Sequence, residues 1–350
     1  MSEGTFRPSA RPGVLHHYLP KLSAFEHTVP GNGQAKRHSL LFVGGLSDGL
    51  NTVPYVSDLA QALESEDWSV FEVLLSSSYS GWGLSSLEKD VQEIAKCVEY
   101  VREYKASQNL GQASSGLIVL MGHSTGSQDV LHYLHSSNPL PSVPHSKRPL
   151  VDGAILQAPV SDREALLDVV RKGTENDSPQ TLEKLFAELV AMAKANQNFE
   201  GTDFLLPLSM TKRIGLSEDV PISSRRFLSL ASPDSPQSPR EDDLFSSDLN
   251  DERLKQTFGM IGSRGLLGKS ILVIPGGADE FVPASVDKEE LLKRWEAATK
   301  QGGCGNNRIW DVNSRIIPNA KHSPSGESQS EQRQELVSTV VRFLKSLEEC

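Results

Sequence analysis

Six short, nearly unbroken apolar runs alternate along the chain with stretches of helical spacing, and this rhythm constrains the fold more than any other feature. The runs are S-L-L-F-V (39–43), S-V-F-E-V-L-L (69–75), G-L-I-V-L-M (116–121), G-A-I-L-Q-A (153–158), S-I-L-V-I-P (270–275) and R-I-W-D-V (308–312). Strands that are apolar at nearly every position are covered on both faces, as in a parallel sheet. Between the runs, helical patterns occupy 52–64, 86–105, 124–136, 285–300 and 329–348. Alternating strand and helix signals predict an α/β fold, with a mostly parallel central sheet and helices on both faces.

The rhythm breaks between residues 160 and 265, where two helices are expected at 162–171 and 179–196. This stretch reads as a cap or lid inserted over the carboxyl edge of the sheet. Residues 1–159 and 266–350 then supply the two parts of the core. The Ser/Pro-rich A-S-P-D-S-P-Q-S-P-R (231–240) is expected to be a mobile loop of the cap. Before about residue 35 the chain forms either an extra strand pair or an arm, and the sequence leaves both open.

Composition excludes some functions. A formal net charge of −10 disfavours a nucleic acid or an anionic membrane as partner. The three cysteines, Cys97, Cys304 and Cys350, are widely spaced and form no C-x-x-C, so neither a disulfide framework nor a zinc site is expected. Cys97 shares a helical stripe with Ile94, Val98 and Val101 and reads as core. The first residues show no signal-peptide h-region and no stretch approaches 18 apolar residues, so a cytoplasmic protein is expected. Oligomeric state is not legible.

Chemistry enters at L-M-G-H-S-T-G-S-Q (120–128). Gly-x-Ser-x-Gly is weak alone, and a turn with an idle serine is its plain alternative. Here it follows a buried run and opens a helical pattern through Val130, Leu131 and Leu134. That context places a serine on a strained turn with its hydroxyl exposed. Ser124 is therefore the candidate nucleophile, and a serine nucleophile needs a base and an orienter for that base.

Both lie downstream at strand ends, where open α/β sheets place their sites. Asp279 follows I-L-V-I-P-G-G-A, and His322 follows I-I-P-N-A-K before the last helix. Asp162, after G-A-I-L-Q-A-P-V, is the rival acid. Glu280 should face away, and His123 should point into packing or the pocket wall. For the oxyanion, Thr125 N–H directly follows the nucleophile, and Leu46 N–H sits in the loop G-G-L-S-D-G-L. Each such donor contributes about 3–4 kcal/mol in comparable sites.

Two motifs fall short. G-S-R-G-L-L-G-K-S (262–270) resembles a P-loop but lacks its first glycine and precedes a strand. G-W-G-L-S-S (81–86) lacks the third glycine of a dinucleotide fingerprint. No carboxylate–histidine cluster has metal-ligand spacing, and the serine chemistry requires no cofactor.

The stretches F-V-G-G-L-S-D-G-L, S-S-S-Y-S-G-W-G-L-S-S-L-E-K-D, L-M-G-H-S-T-G-S-Q-D and G-G-A-D-E-F-V-P resemble a fungal and plant family of α/β-hydrolases, formerly of unknown function. That family includes the fungal intracellular esterases of fusarinine C. The resemblance implies an α/β-hydrolase fold and hydrolysis of ferric hydroxamate siderophore esters to release iron, the iron arriving with the substrate. A cationic siderophore would suit an acidic rim. Gly45, Asp48, Tyr79, Trp82 and the 200–210 segment are the candidate substrate contacts, although Trp82 reads equally well as packing. A lipase, thioesterase or amidase using the same residues is the second reading. A binding protein on a hydrolase scaffold is the third.

Overall fold

The computed structural model describes residues 10–28, 35–108, 116–197, 204–302 and 309–349. Seven strands form one sheet: β1 (Gly13–Leu19), β2 (Leu22–His27), β3 (His38–Val43), β4 (Trp68–Val73), β5 (Ile118–His123), β6 (Val151–Gln157) and β7 (Leu267–Ile274). Their spatial order is β1-β2-β4-β3-β5-β6-β7. From β4 to β7 every pairing is parallel, and β1 and β2 add an antiparallel edge. The N-terminal segment is thus a strand pair as far as it is described.

Every residue of β3, β4 and β5 is buried, as continuous apolar runs require. Successive side chains still alternate between faces. Leu41 and Val43 join one core with helices Leu87–Gln108, Thr125–His135 and Lys288–Gly302. Leu40 and Phe42 join the other, with helices Tyr55–Ala62 and Ser330–Glu348. The run at 308–312 differs from expectation. Residue 308 lies outside the described residues, and Trp310 makes a single bridge to Ile271 in place of a strand.

Two inward-facing polar residues secure the strand pair. Glu26 accepts from Lys105 Nζ at 2.7 Å and contacts His16 Nε2 at 3.1 Å, all three buried. Burial alone would raise the Glu26 pKa. The His16 hydrogen bond and the Lys105 ammonium more than reverse this and hold it at about 2.

The cap has its own core. Helix Pro179–Asn196 buries Leu182, Leu185, Leu189 and Ala193 at helical spacing. These meet Leu166 and Val170 of helix Asp162–Lys172 and Phe227, Leu228 and Leu230 of helix Ser224–Ala231. Ser161, Ser178 and Ser223 accept from main-chain N–H groups at the three helix starts. The expected boundary at residue 265 does not coincide with the limit of this core. Leu244, Phe245, Leu249, Leu254, Phe258 and Ile261 pack into the main core instead.

The Ser/Pro-rich stretch also differs from a loose loop. Ser232 Oγ accepts from Arg240 N at 2.8 Å and bonds Ser235 Oγ at 2.7 Å, and Lys194 reaches Asp234 at 2.6 Å. Cys97 is fully buried, which pushes its thiol pKa up. Cys304 and Cys350 lie outside the described residues, as does the 200–203 part of the expected pocket lining. Among the described residues no helix is long and apolar enough to cross a membrane.

Candidate active site

Strand order places the site. The chain turns one way from β3 to β4 and the other way to β5, so the loops after β3 and β5 meet at a switch point. The ends of β5, β6 and β7 are in register, with His123 opposite Gln157 and Gln157 opposite Ile274.

Ser124 stands directly after β5 with φ 57° and ψ −125°. A non-glycine residue there is strained, and packing must hold it. The two motif glycines make that possible. A Cβ on Gly122 would lie 2.1 Å from Gly126 O, and one on Gly126 would lie 2.3 Å from Val43 O. The helix Thr125–His135 can start against the strand ends only without those carbons. Gly126→Ala is therefore expected to destabilise the fold by at least about 2 kcal/mol. Urea unfolding measures this, and an unchanged midpoint would refute the packing account.

His322 and Asp279 meet. The turn after β7 is pinned by Gly277 N to Ile317 O (2.8 Å) and Ala278 N to Ala320 O (2.9 Å). This carries Asp279 to within 2.9 Å of His322 Nδ1, through Oδ2, and both residues are buried. With its Nδ1–H donated to the Asp279 carboxylate, the ring presents its lone pair at Nε2. No hydrogen bond joins Ser124 Oγ to His322 among the described residues. Contacts of this kind tighten in substrate complexes.

Glu280 does not face away as expected: its Oε2 accepts the main-chain N–H of His322 at 2.9 Å. Phe281, which sequence reasoning missed, is half exposed and sets its ring against His322, centroids 4.7 Å apart. Asp162 has a different partner from His322. Its Oδ2 accepts from Gln128 Nε2 at 2.6 Å, and burial pushes its pKa up to about 6 against that hydrogen bond.

The loop after β3 closes over Ser124. A Cβ on Gly45 would lie 2.6 Å from Ser124 Cβ, so the backbone passes close to the serine. Neither Leu46 N–H nor Thr125 N–H has an acceptor among the described residues.

Asp48, expected as a substrate contact, shapes this loop. Its Oδ2 accepts from Gly45 N at 2.8 Å and its Oδ1 from Thr52 Oγ1 at 3.0 Å. Trp82 is only 3% exposed, packs in the cap core and donates to Ser47 Oγ at 3.0 Å. It is a packing residue that ties cap to loop. Tyr79 is exposed, and its hydroxyl accepts from Leu50 N at 3.0 Å.

His123 is buried, and its Nδ1 bonds Gln157 Oε1 at 2.5 Å. Burial, then the neighbouring His322, lower its pKa to about 4, so it is neutral at pH 7. The contacts of Gln157 Oε1, with His123 and with Tyr55 O–H, have no local signal in the sequence, because the partners lie 34 and 102 positions away. Among the described residues, no group of three or more His, Cys, Asp or Glu side chains is placed to hold a metal ion.

A family model described as "Protein of unknown function (DUF1749)" matches residues 6–345. The chain is 51% identical to the fusarinine C esterase sidJ of Aspergillus fumigatus over 345 residues, 96% of each chain. It is 47% identical to esterase AN6793 of Emericella nidulans, over 96% of this chain and 93% of that one. The structure of siderophore hydrolase EstB from Aspergillus fumigatus matches with a TM-score of 0.88 at 50% identity, covering 99% of this chain and 100% of that one. An α/β-hydrolase-fold protein of unknown function shares the fold alone, with a TM-score of 0.55 at 16% identity over 98% of this chain and 100% of that one. By the extent of the family match and the identity of these relatives, the chain belongs to the DUF1749 family and has the α/β-hydrolase fold.

Proposed function

We propose that this protein is a serine esterase that opens the ester bonds of a fusarinine C-type hydroxamate siderophore in the cytoplasm. The observation that carries the chemistry is the buried His322 Nδ1–Asp279 Oδ2 hydrogen bond of 2.9 Å, beside a serine on a strained strand-to-helix turn. The names and identities of the relatives support the substrate class.

Ser124 Oγ attacks the ester carbonyl as His322 Nε2 takes its proton. Asp279 holds the Nδ1–H tautomer and stabilises the imidazolium. The carbonyl oxygen gathers negative charge between the Leu46 and Thr125 amides, which have no competing acceptor among the described residues. His322 returns the proton to the leaving alcohol. Water, activated by the same imidazole, then releases the acid from the acyl-enzyme. Phe281, half exposed beside His322, gives the acyl side an apolar wall. Ferric iron enters with the substrate and leaves with the hydrolysed product.

The test is incubation of purified protein with ferric fusarinine C, followed by mass spectrometry. The expected products gain one water for each ester opened, and Ser124→Ala yields none. Cleavage of p-nitrophenyl acetate with the siderophore left intact would keep the esterase and discard the siderophore. Cleavage of neither would leave a binding protein on a hydrolase scaffold.

A further inference from the structure

One buried residue touches both halves of the proposed nucleophile–base pair. Gln157 ends β6 and is 3% exposed. Its main-chain carbonyl accepts from Ser124 N at 3.1 Å and from Ser127 Oγ at 2.9 Å. Its side-chain Nε2 donates to the His322 carbonyl at 3.3 Å. Its Oε1 accepts from Tyr55 O–H at 2.8 Å and bonds His123 Nδ1 at 2.5 Å.

The amide orientation is forced. A carbonyl can only accept, so the NH2 must face His322, and Oε1 must face Tyr55 and His123. An oxygen that only accepts then requires His123 to carry its proton on Nδ1. Gln157 thereby sets the tautomer of the imidazole whose ring centroid lies 5.0 Å from that of His322.

We propose that Gln157 is a positioning residue of the esterase reaction: its carbonyl seats Ser124 and its amide seats His322, so it sets the separation over which the proton passes. Glu280 restrains the other side of His322 by accepting its N–H at 2.9 Å. The His322 backbone is thus held from two strand ends, β6 through Gln157 and β7 through the Asp279 turn. This inference rests on the serine-esterase reading. Placement matters at this scale, because a reacting group misplaced by about 1 Å can cost about 100-fold in rate.

Gln157→Glu tests it. The variant keeps the acceptor for Tyr55 and His123 and loses the donor to His322. With p-nitrophenyl acetate, kcat is expected to fall at least about tenfold while KM changes less than about twofold, since transition-state geometry suffers and ground-state binding does not. The acid limb of the kcat/KM profile is expected to move up by about 0.5 pH unit or more, because a new carboxylate favours the imidazolium. The other groups that face these imidazoles are unchanged in the variant: Asp279, Glu280, Asp48, Tyr55 and, further off, Asp162. The shift therefore reports position 157.

A merely structural role predicts a lower melting temperature with the pH limb in place and an unchanged kcat per Ser124 titrated by a fluorophosphonate. That outcome, or an unaltered enzyme, overturns the proposal. Should Gln157→Glu fail to fold, Tyr55→Phe decides. It removes one of the two donors that hold Oε1, and kcat is expected to fall about threefold or more at constant KM. An unchanged kcat there overturns the clamp. A wild-type protein that cleaves no ester overturns both the clamp and the esterase reading. An active wild type with indifferent variants overturns the clamp alone.

Discussion

Replacing Ser124 with alanine is expected to lower kcat toward any ester by about 10⁶, the loss seen when comparable hydrolases lose their nucleophile. The melting temperature should stay within about 2 °C. Both parts follow from the geometry. Ser124 Oγ makes no hydrogen bond within the described fold, so removing it leaves no buried partner unsatisfied. The strained φ of 57° belongs to the backbone and is held by Gly122, Gly126 and the Gln157 carbonyl, all untouched by the change. Residual turnover would come from the Leu46 and Thr125 amides. The variant should also lose all labelling by a fluorophosphonate, read as intact-protein mass. A Ser124→Ala protein that still turns over esters at one-tenth of the wild-type rate would move the nucleophile elsewhere.

Asp279→Asn is expected to lower kcat by about 10⁴, whereas Asp162→Asn should leave it within about threefold. An amide at position 279 presents an N–H to His322 Nδ1 and so favours the tautomer protonated on Nε2. That tautomer has no lone pair toward Ser124, and the base is lost while the packing survives. At position 162 the partner is Gln128 Nε2, 2.6 Å away. An asparagine oxygen accepts from it equally well, and His322 is not among the hydrogen-bond partners. Steady-state kinetics on both variants, beside circular dichroism to show that they fold, decide between the two acids. If Asp162→Asn proves the crippled one, the acid is Asp162 and the 2.9 Å contact of Asp279 is only structural.

Much of the fold was legible because burial is periodic. β3, β4 and β5 lie within a residue or two of the apolar runs, since strands covered on both faces leave an almost unbroken signal. The strand pair at the start was harder to read. His16 and Glu26 face inward, and polar residues do so only when a partner waits, here Lys105 on a helix 79 residues from Glu26 in the chain. The far end of the cap misled for the opposite reason. Phe245, Leu254 and Phe258 look like any apolar lining, and composition does not say which of two cores will take them.

The sequence by itself determined the alternation of strands and helices, the Gly-x-Ser-x-Gly turn, and the arrival of an acid and a histidine at two later strand ends. These are local facts, set by periodicity and by where a backbone must pass without a Cβ, although the stretch before His322 makes only isolated bridges to β7 and its turn in place of a strand. Tertiary structure alone decided that Asp279, and not Asp162, meets His322. It also decided that Asp48 closes its own loop, that Trp82 is buried, and that Gln157 spans Ser124 and His322. The Asp279–His322 and Gln157–His322 contacts join residues 43 and 165 positions apart. A hydrogen bond needs its atoms within about 3 Å and well aligned. Hydrophobic pattern tells which residues go inside, but only the assembled sheet brings one particular donor to one particular acceptor.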